Sequence, residues 1–391
     1  MKERNSNTHN IIIILVFVCF LGFFGIAYIV VPDREYSELE NRYLTTFPEL
    51  TAERLFNGEF MSDFDSYTAD QIYGKDLFVK GNVAYNRMLG IKEINQVFIG
   101  KENYLIQDYQ EPGDLLDENL ASIEEFAEAH PELPIAVLLA PNANEIYPEM
   151  LPSFVKTYPQ SRVMVRANAV LSADNLTFVD ATGALAAKKD ENMYYKTDHH
   201  WTTDGAYSAY QELCGAIGLT PKKLEEYERI EIQTPFYGSL YSKAPVTGNP
   251  GDHMTLYRSP DEGYRVTYVM EDRTEDSLYD ESYLTKKDQY AVFFGGNYAY
   301  VKIENEKLQS ANIVDSEITG VKTGNVLVIK DSYANALIPF LADQYADIHM
   351  LDLRYYHDDI SKLIEENEIG QVIFIHNVDF LSTDNSFVWL N

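Results

Sequence analysis

Three hydrophobic periodicities run along this chain of 391 residues. From Ile11 to Val31 the side chains are apolar without a single charge. As a helix this run reaches roughly 30 Å, about the hydrocarbon thickness of a bilayer. Residues 32–75 are charged and bear Tyr and Phe, without sustained periodicity, and read as a linker or collar. From residue 76 an α/β rhythm begins. Leu120, Ile123 and Ala127 lie at helical spacing, and Ile135 to Ala140 is a short apolar run that predicts a buried strand. Ala206, Tyr207, Tyr210, Leu213 and Cys214 mark one helix face, closed by Gly218 and Pro221. Residues 222–320 are rich in Tyr, Thr and charge, with alternating stretches at Arg265–Met270 and Tyr290–Phe294 that predict an antiparallel β-rich insertion.

The last seventy or so residues alternate most clearly. Strands are predicted at Val326–Ile329, Ile348–Leu351 and Val372–Ile375. A helix between the last two carries Ile360, Leu363 and Ile364, and Gly370 stands where a helix stop belongs. Right-handed crossovers then give an α/β fold with a parallel three-layer sheet, whose functional loops lie at the carboxyl ends of the strands.

Charge adds topology. Lys2 and Arg4 precede the apolar run and Asp33, Glu35, Glu38 and Glu40 follow it. Residues 1–10 are therefore expected in the cytoplasm, 11–31 as a signal anchor, and everything after Val31 outside the cell, with residues 76–391 as the main domain. A cleaved signal peptide is the alternative. The formal net charge of −30 argues against a nucleic-acid partner. Of the two cysteines, Cys19 lies in the apolar run and Cys214 in a predicted helix, so no disulfide staples the exported part, as suits a bacterial surface protein.

Three elements could carry chemistry. Ser332 follows a predicted buried strand and opens a helix, where amides favour developing negative charge; an ordinary N-cap serine reads the same way. In Thr197-Asp198-His199-His200-Trp201, an extended backbone puts Asp198 and His200 on one side and His199 on the other. A carboxylate beside an imidazole suits the base of a serine nucleophile. A metal site including His253 or His357, or a structural His–Asp pair, competes with that reading, and no metal or cofactor is expected. Trp201 is either a sugar platform or core. Asn377, beyond the final strand, and Asn297, after a predicted strand at Ala291–Phe294, are rival amides for an oxyanion hole or turn residues.

The Asp198-His199-His200-Trp201 string, with Thr202-Thr203 and Gly205-Ala206-Tyr207, resembles the DHHW family of bacterial proteins. Ser37-Glu38-Leu39-Glu40-Asn41-Arg42 resembles that family's N-terminal signature. The family is similar to the periplasmic alginate O-acetyltransferases, which are SGNH-hydrolase-like. The resemblance implies an SGNH-hydrolase-like fold and a triad of Ser332, His200 and Asp198, with Asn377 favoured as the oxyanion amide. Lys330-Asp331-Ser332 departs from the usual Gly-Asp-Ser, which questions the tightness of the nucleophile turn. The implied activity is transfer of an acetyl group through an acyl-serine onto a cell-surface polysaccharide. The implied partner is a membrane-bound O-acyltransferase that relays the acetyl group. A carbohydrate esterase with the same triad, or a non-catalytic wall-binding protein, would share these residues.

Overall fold

A computed structural model of the chain describes residues 2–260, 263–310 and 324–390. The chain divides into two compact units, residues 1–91 with 242–248, and residues 92–241 with 249–391. The part of the expected β-rich insertion from 311 to 320 lies outside the described residues.

In the first unit, helix α1 (Lys2–Val30) includes a segment, Thr8–Val30, that is long and apolar enough to cross a membrane. Three more helices follow: α2 (Ala52–Phe56), α3 (Glu59–Gln71) and α4 (Lys75–Met88). The expected boundary at residue 76 therefore falls inside a helix, and the unit runs on to 91. The collar is knit by charge. Arg42 holds Asp70 with two guanidinium bonds of 2.9 and 2.5 Å, and Lys75 reaches the same carboxylate at 2.6 Å and Glu40 at 3.1 Å. The Arg42 bond, with Lys75 and the Thr45 amide, holds the Asp70 carboxyl well below its usual range despite its burial. Asn41 sits between Glu40 and Arg42 at φ 51°, a left-handed turn that Asn tolerates.

The second unit is an α/β fold of three layers. In chain order its principal elements are α5 (Leu115–Ala129), β1 (Ile135–Ala140), α6 (Ser161–Val170), β2 (Leu176–Asp180), α7 (Thr203–Ile217), β3 (Tyr264–Tyr268), β4 (Arg273–Glu275) and β5 (Tyr300–Asn305). They continue with β6 (Asn325–Lys330), α8 (Ala334–Leu341), β7 (Asp347–Leu351), α9 (Ile360–Glu366), β8 (Gln371–Asn377) and α10 (Val378–Thr383). One sheet of order β4-β3-β5-β7-β6-β8-β1-β2 runs through the unit. The five strands from β7 to β2 are mutually parallel, and β5, β3 and β4 extend the sheet antiparallel. The insertion thus adds strands to the sheet at β3, β4 and β5, while Glu228–Glu231 and Thr255–Arg258 pair separately.

Both faces of the parallel part are buried, which explains the unbroken apolar runs. Ala136, Leu138, Val326, Val328 and Ile373 face a core shared with α7 and α8. Ile135, Val137, Leu327, Ile329 and Phe374 face one shared with α5, α6, α9 and α10. Leu120, Ile123 and Ala127 are fully buried in that second core, each Leu or Ile contributing about 2 kcal/mol of burial.

Two local expectations fail. Tyr290–Phe294 alternates like a strand, but Gln289–Val292 is a 3-10 helix. Gly370 does not stop α9: the chain leaves the helix through Glu368, at φ 48°, and Gly370 instead donates its N–H to the Asn325 carbonyl.

Candidate active site

The carboxyl ends of β6, β8 and β1 lie side by side, since Lys330 pairs with Ile375 and Asn377 with Ala140. Side chains tie these ends together. Asn142, just past β1, donates from Nδ2 to Asn377 Oδ1 at 3.1 Å. Asn377 donates from Nδ2 to Asp331 Oδ2 at 2.6 Å, and its backbone N–H reaches the same oxygen at 2.7 Å. Asp331 Oδ1 closes the nucleophile turn by accepting the Tyr333 N–H at 2.8 Å. Burial pushes the Asp331 carboxyl up to about 6 against these donors.

That turn carries Ser332, half-buried, one residue before the Tyr333 N-cap of α8. Lys330 has no positive φ, so glycine is not required there. Its buried ammonium runs to Asn297 Oδ1 and Asn335 Oδ1, both at 2.9 Å, and lies 3.7 Å from Asp352. Burial lowers its affinity for the proton. The turn is tight through Asp331, with lysine where the related pattern has glycine.

His200 arrives from the opposite side. The segment expected to be extended is instead a bend between Tyr194 and Trp201, which bridge antiparallel. Asp198 makes the bend by accepting the His200 N–H at Oδ1, 3.0 Å, the local turn that Asp favours. The same oxygen meets His200 Nδ1 at 2.5 Å, and His200 Nε2 meets Ser332 Oγ at 2.7 Å. A carboxylate only accepts, so Nδ1 carries the hydrogen and Nε2 of the neutral ring is left to accept from the serine. Asp198 and His200 are 3% and 5% exposed, so the carboxylate–imidazole pair is screened from water. Burial pushes the Asp198 carboxyl up, but the imidazoles of His200 and His199 outweigh it and hold it far below the carboxylate range.

The bend also brings the two histidine rings within 3.8 Å, so they do not diverge as an extended backbone would require. Asp198, His199 and His200 consequently form a group able to hold a metal ion. Their polar atoms are already engaged: His200 as above, His199 Nδ1 with Ser239 Oγ at 2.6 Å, and Asp198 Oδ2 with the Ser239 N–H at 2.7 Å. An ion there would have to displace the serine or the carboxylate from the imidazole.

Trp201 is not a sugar platform. It is fully buried, with Nε1 donating to the Tyr333 carbonyl at 2.9 Å, and so braces the nucleophile turn from the core. Asn297 is exposed, its carbonyl taken by Lys330 and by Asn335 Nδ2 at 3.0 Å, and it makes no hydrogen bond with the Ser332–His200–Asp198 line among the described residues. Asn377 has one N–H committed to Asp331, and an amide carries two. His253 and His357 are not part of the candidate metal group.

Four neighbours escaped the sequence reading. Tyr290 stacks on His200 with ring centroids 3.7 Å apart and planes 5° from parallel, and its hydroxyl donates to the Ser332 carbonyl at 3.1 Å. Asp252 accepts the Lys196 and Thr197 amides at 2.8 Å each, fixing the loop just before Asp198. Ser239 supplies the N–H to Asp198. Gly238 lies so close that a Cβ there would sit 2.2 Å from Asp198 Oδ2. The glycine was the one available signal, because close backbone approach at a site excludes any side chain.

Residues 175–351, which include Asp198, His200 and Ser332, match the model of the DHHW protein family. A DHHW family protein from Eubacterium siraeum superposes with a TM-score of 0.64 at 24% identity, over 75% of this chain and 94% of its own. Bacillus cereus PatB1 gives 0.61 at 22% identity, over 73% and 97%. The structure of PatB1 with a sulfonyl adduct gives 0.62 at 22% identity, over 76% and 99%. No protein of curated function matches the sequence. At these identities the likeness is one of fold, and the three-layer α/β arrangement around a parallel sheet that the sequence predicts is the one found. Over residues 175–351, with the Asp-His-His-Trp string near the start of that stretch, this chain is similar to the DHHW family.

Proposed function

We propose that this chain is an extracytoplasmic O-acetyltransferase that carries an acetyl group on Ser332 and passes it to a hydroxyl of a cell-surface polysaccharide. The observation that carries the reading is the unbroken line Asp198–His200–Ser332, with bonds of 2.5 and 2.7 Å. His200 takes the Ser332 proton as Oγ attacks the acetyl carbonyl, and Asp198 stabilises the resulting imidazolium. The tetrahedral oxyanion is met by the Ser332 backbone N–H, which makes no hydrogen bond among the described residues, and by the second N–H of Asn377. Collapse expels the donor alcohol, protonated by His200, and leaves acetyl-Ser332. A sugar hydroxyl then gives its proton to His200, attacks the acyl carbon and departs as the ester, restoring the serine.

Location supports a transferase. With α1 spanning the cell membrane and the rest outside, cytoplasmic acetyl thioesters are out of reach, so a membrane-bound O-acyltransferase would supply the acetyl group. The test feeds the purified chain an activated acetyl ester with and without wall or exopolysaccharide oligosaccharides and measures acetylated sugar against free acetate. Acetylated oligosaccharide formed faster than acetate supports the transferase. Acetate release untouched by acceptor makes the protein an esterase with the same triad. Turnover equal in wild type and Ser332→Ala makes it a binding protein.

A further inference from the structure

One face of α4 is apolar, turned outward and uncovered. Lys75, Val79, Val83 and Asn86 recur at helical spacing on its inward side. The opposite side carries Leu77, Gly81, Tyr85 and Met88, with Phe78 and Leu89 beside them. Leu77 is 75% exposed, Met88 79% and Leu89 58%. A helix packed on a soluble body turns its apolar stripe inward, and a contiguous apolar surface left outside faces another medium or partner.

Two independent observations identify that medium as lipid. The first is depth. The Tyr73 ring lies 5.9 Å from Phe23 of α1, and the Phe78 ring 6.0 Å from Phe24. Phe24 is six residues short of the end of α1 at Val30, or about 9 Å along the axis, within the apolar run. The polar ties come at the end of that run and beyond it: Tyr28 donates to the Thr68 carbonyl, Tyr67 donates to Asp33 at 3.0 Å, and Arg34 pairs with Asp76 at 3.0 Å. The second is charge. In a chain of net charge −30, residues 77–91 contain Lys80 and Arg87 and no acidic residue. These two bases lie seven residues apart on one flank of the apolar face, where long side chains reach headgroups while their stems stay in apolar surroundings.

We propose that α4 lies in the outer-leaflet interface of the bilayer, apolar face down, with Lys80 and Arg87 on anionic phospholipid headgroups. Together with α1 it makes a second attachment beside the span, which holds this unit at a fixed level on the membrane. The proposal rests on α1 crossing the bilayer.

The test uses the full chain in a Cys19→Ser background, Cys214 being buried. Single cysteines at Leu77, Tyr85 and Met88 are spin-labelled, and the protein is reconstituted in phosphatidylcholine vesicles containing phosphatidylglycerol. Collisions with oxygen, which concentrates in lipid, are compared with collisions with a water-soluble nickel chelate. Val16→Cys serves as the lipid reference and Phe154→Cys, fully exposed in the second unit, as the water reference. The expected result is a several-fold higher oxygen-to-nickel ratio at 77, 85 and 88 than at 154. Nickel access at those three sites equal to that at 154, with Val16 in lipid, overturns the proposal and leaves the anchor standing. Protection from both reagents overturns it in favour of a second copy of the chain covering the face. A water-like ratio at Val16 removes the anchor and the proposal together.

Discussion

At the residue scale, the function stands on what each group near Ser332 can do and on what its neighbours prevent it from doing. Asp198→Asn keeps the shape but presents an N–H where His200 needs an acceptor. Acetyl-ester turnover is expected to fall by a factor on the order of 10³–10⁴, with an unchanged circular dichroism spectrum. Tyr290 separates two contributions. Tyr290→Phe removes only the bond to the Ser332 carbonyl and should cost less than about tenfold in kcat/KM, the equivalent of one neutral hydrogen bond. Tyr290→Leu also removes the stack that fixes the imidazole plane and should cost clearly more. Gly238→Ala drives a methyl into Asp198 and should lower activity comparably to Asp198→Asn. The sequence named the imidazole and the carboxylate because their pairing is local, whereas Ser332, 132 residues further on, was named by its place between a strand and a helix and by the family resemblance. Tyr290, Asp252 and Ser239 act across the fold, forty to ninety residues away from the groups they hold, and nothing in a single chain's pattern joins them. Trp201 was ambiguous for the opposite reason: a lone indole has the same signature in a core as in a sugar cleft, and only its bond to the Tyr333 carbonyl decides.

Elements were legible wherever burial was two-sided. β1, β6, β7 and β8 are apolar on both faces and bounded by turns, so periodicity finds them within a residue or two. The stretch at 290–294 misled because alternating aromatics imitate a strand, whereas tertiary packing of Tyr290 on His200 selects a 3-10 turn. The bend at 198–200 misled because a side-chain cap on the backbone outweighed the extended default. Two predictions belong here. Thr202 caps α7 by accepting the Gly205 N–H at 3.1 Å, so Thr202→Ala should cost about 1 kcal/mol in denaturant unfolding. The second concerns His349 on β7 and His376 on β8, which burial holds at about 4 and about 3. Both lie below the unfolded value of about 6.5. Between these limits the unfolded chain binds more protons, so stability is full above about pH 6.5 and falls as pH drops toward 4. Urea titrations at stepped pH should show that slope, and His349→Gln should flatten part of it.

For the whole molecule, net charge and the apolar N-terminus set expectations about place rather than chemistry. An acidic exported domain on a membrane span is expected to remain in the membrane fraction after carbonate washing. A chain beginning at residue 32 should lose the span and leave that fraction in part, its residual binding depending on the salt that screens α4. Where the collar ends and the α/β domain begins was not legible, because the collar's cohesion comes from Arg42, Asp70 and Lys75, charges that sequence periodicity does not weigh. The account turns on whether Ser332 takes up an acyl group. The most direct measurement is intact-protein and peptide mass spectrometry of the chain quenched seconds after mixing with an activated acetyl ester. The account predicts one added acetyl group, located on Ser332, absent in Ser332→Ala, strongly reduced in His200→Ala, and discharged faster when oligosaccharide is present. An unlabelled Ser332 in the active wild-type chain, or equal labelling with and without His200, would contradict it.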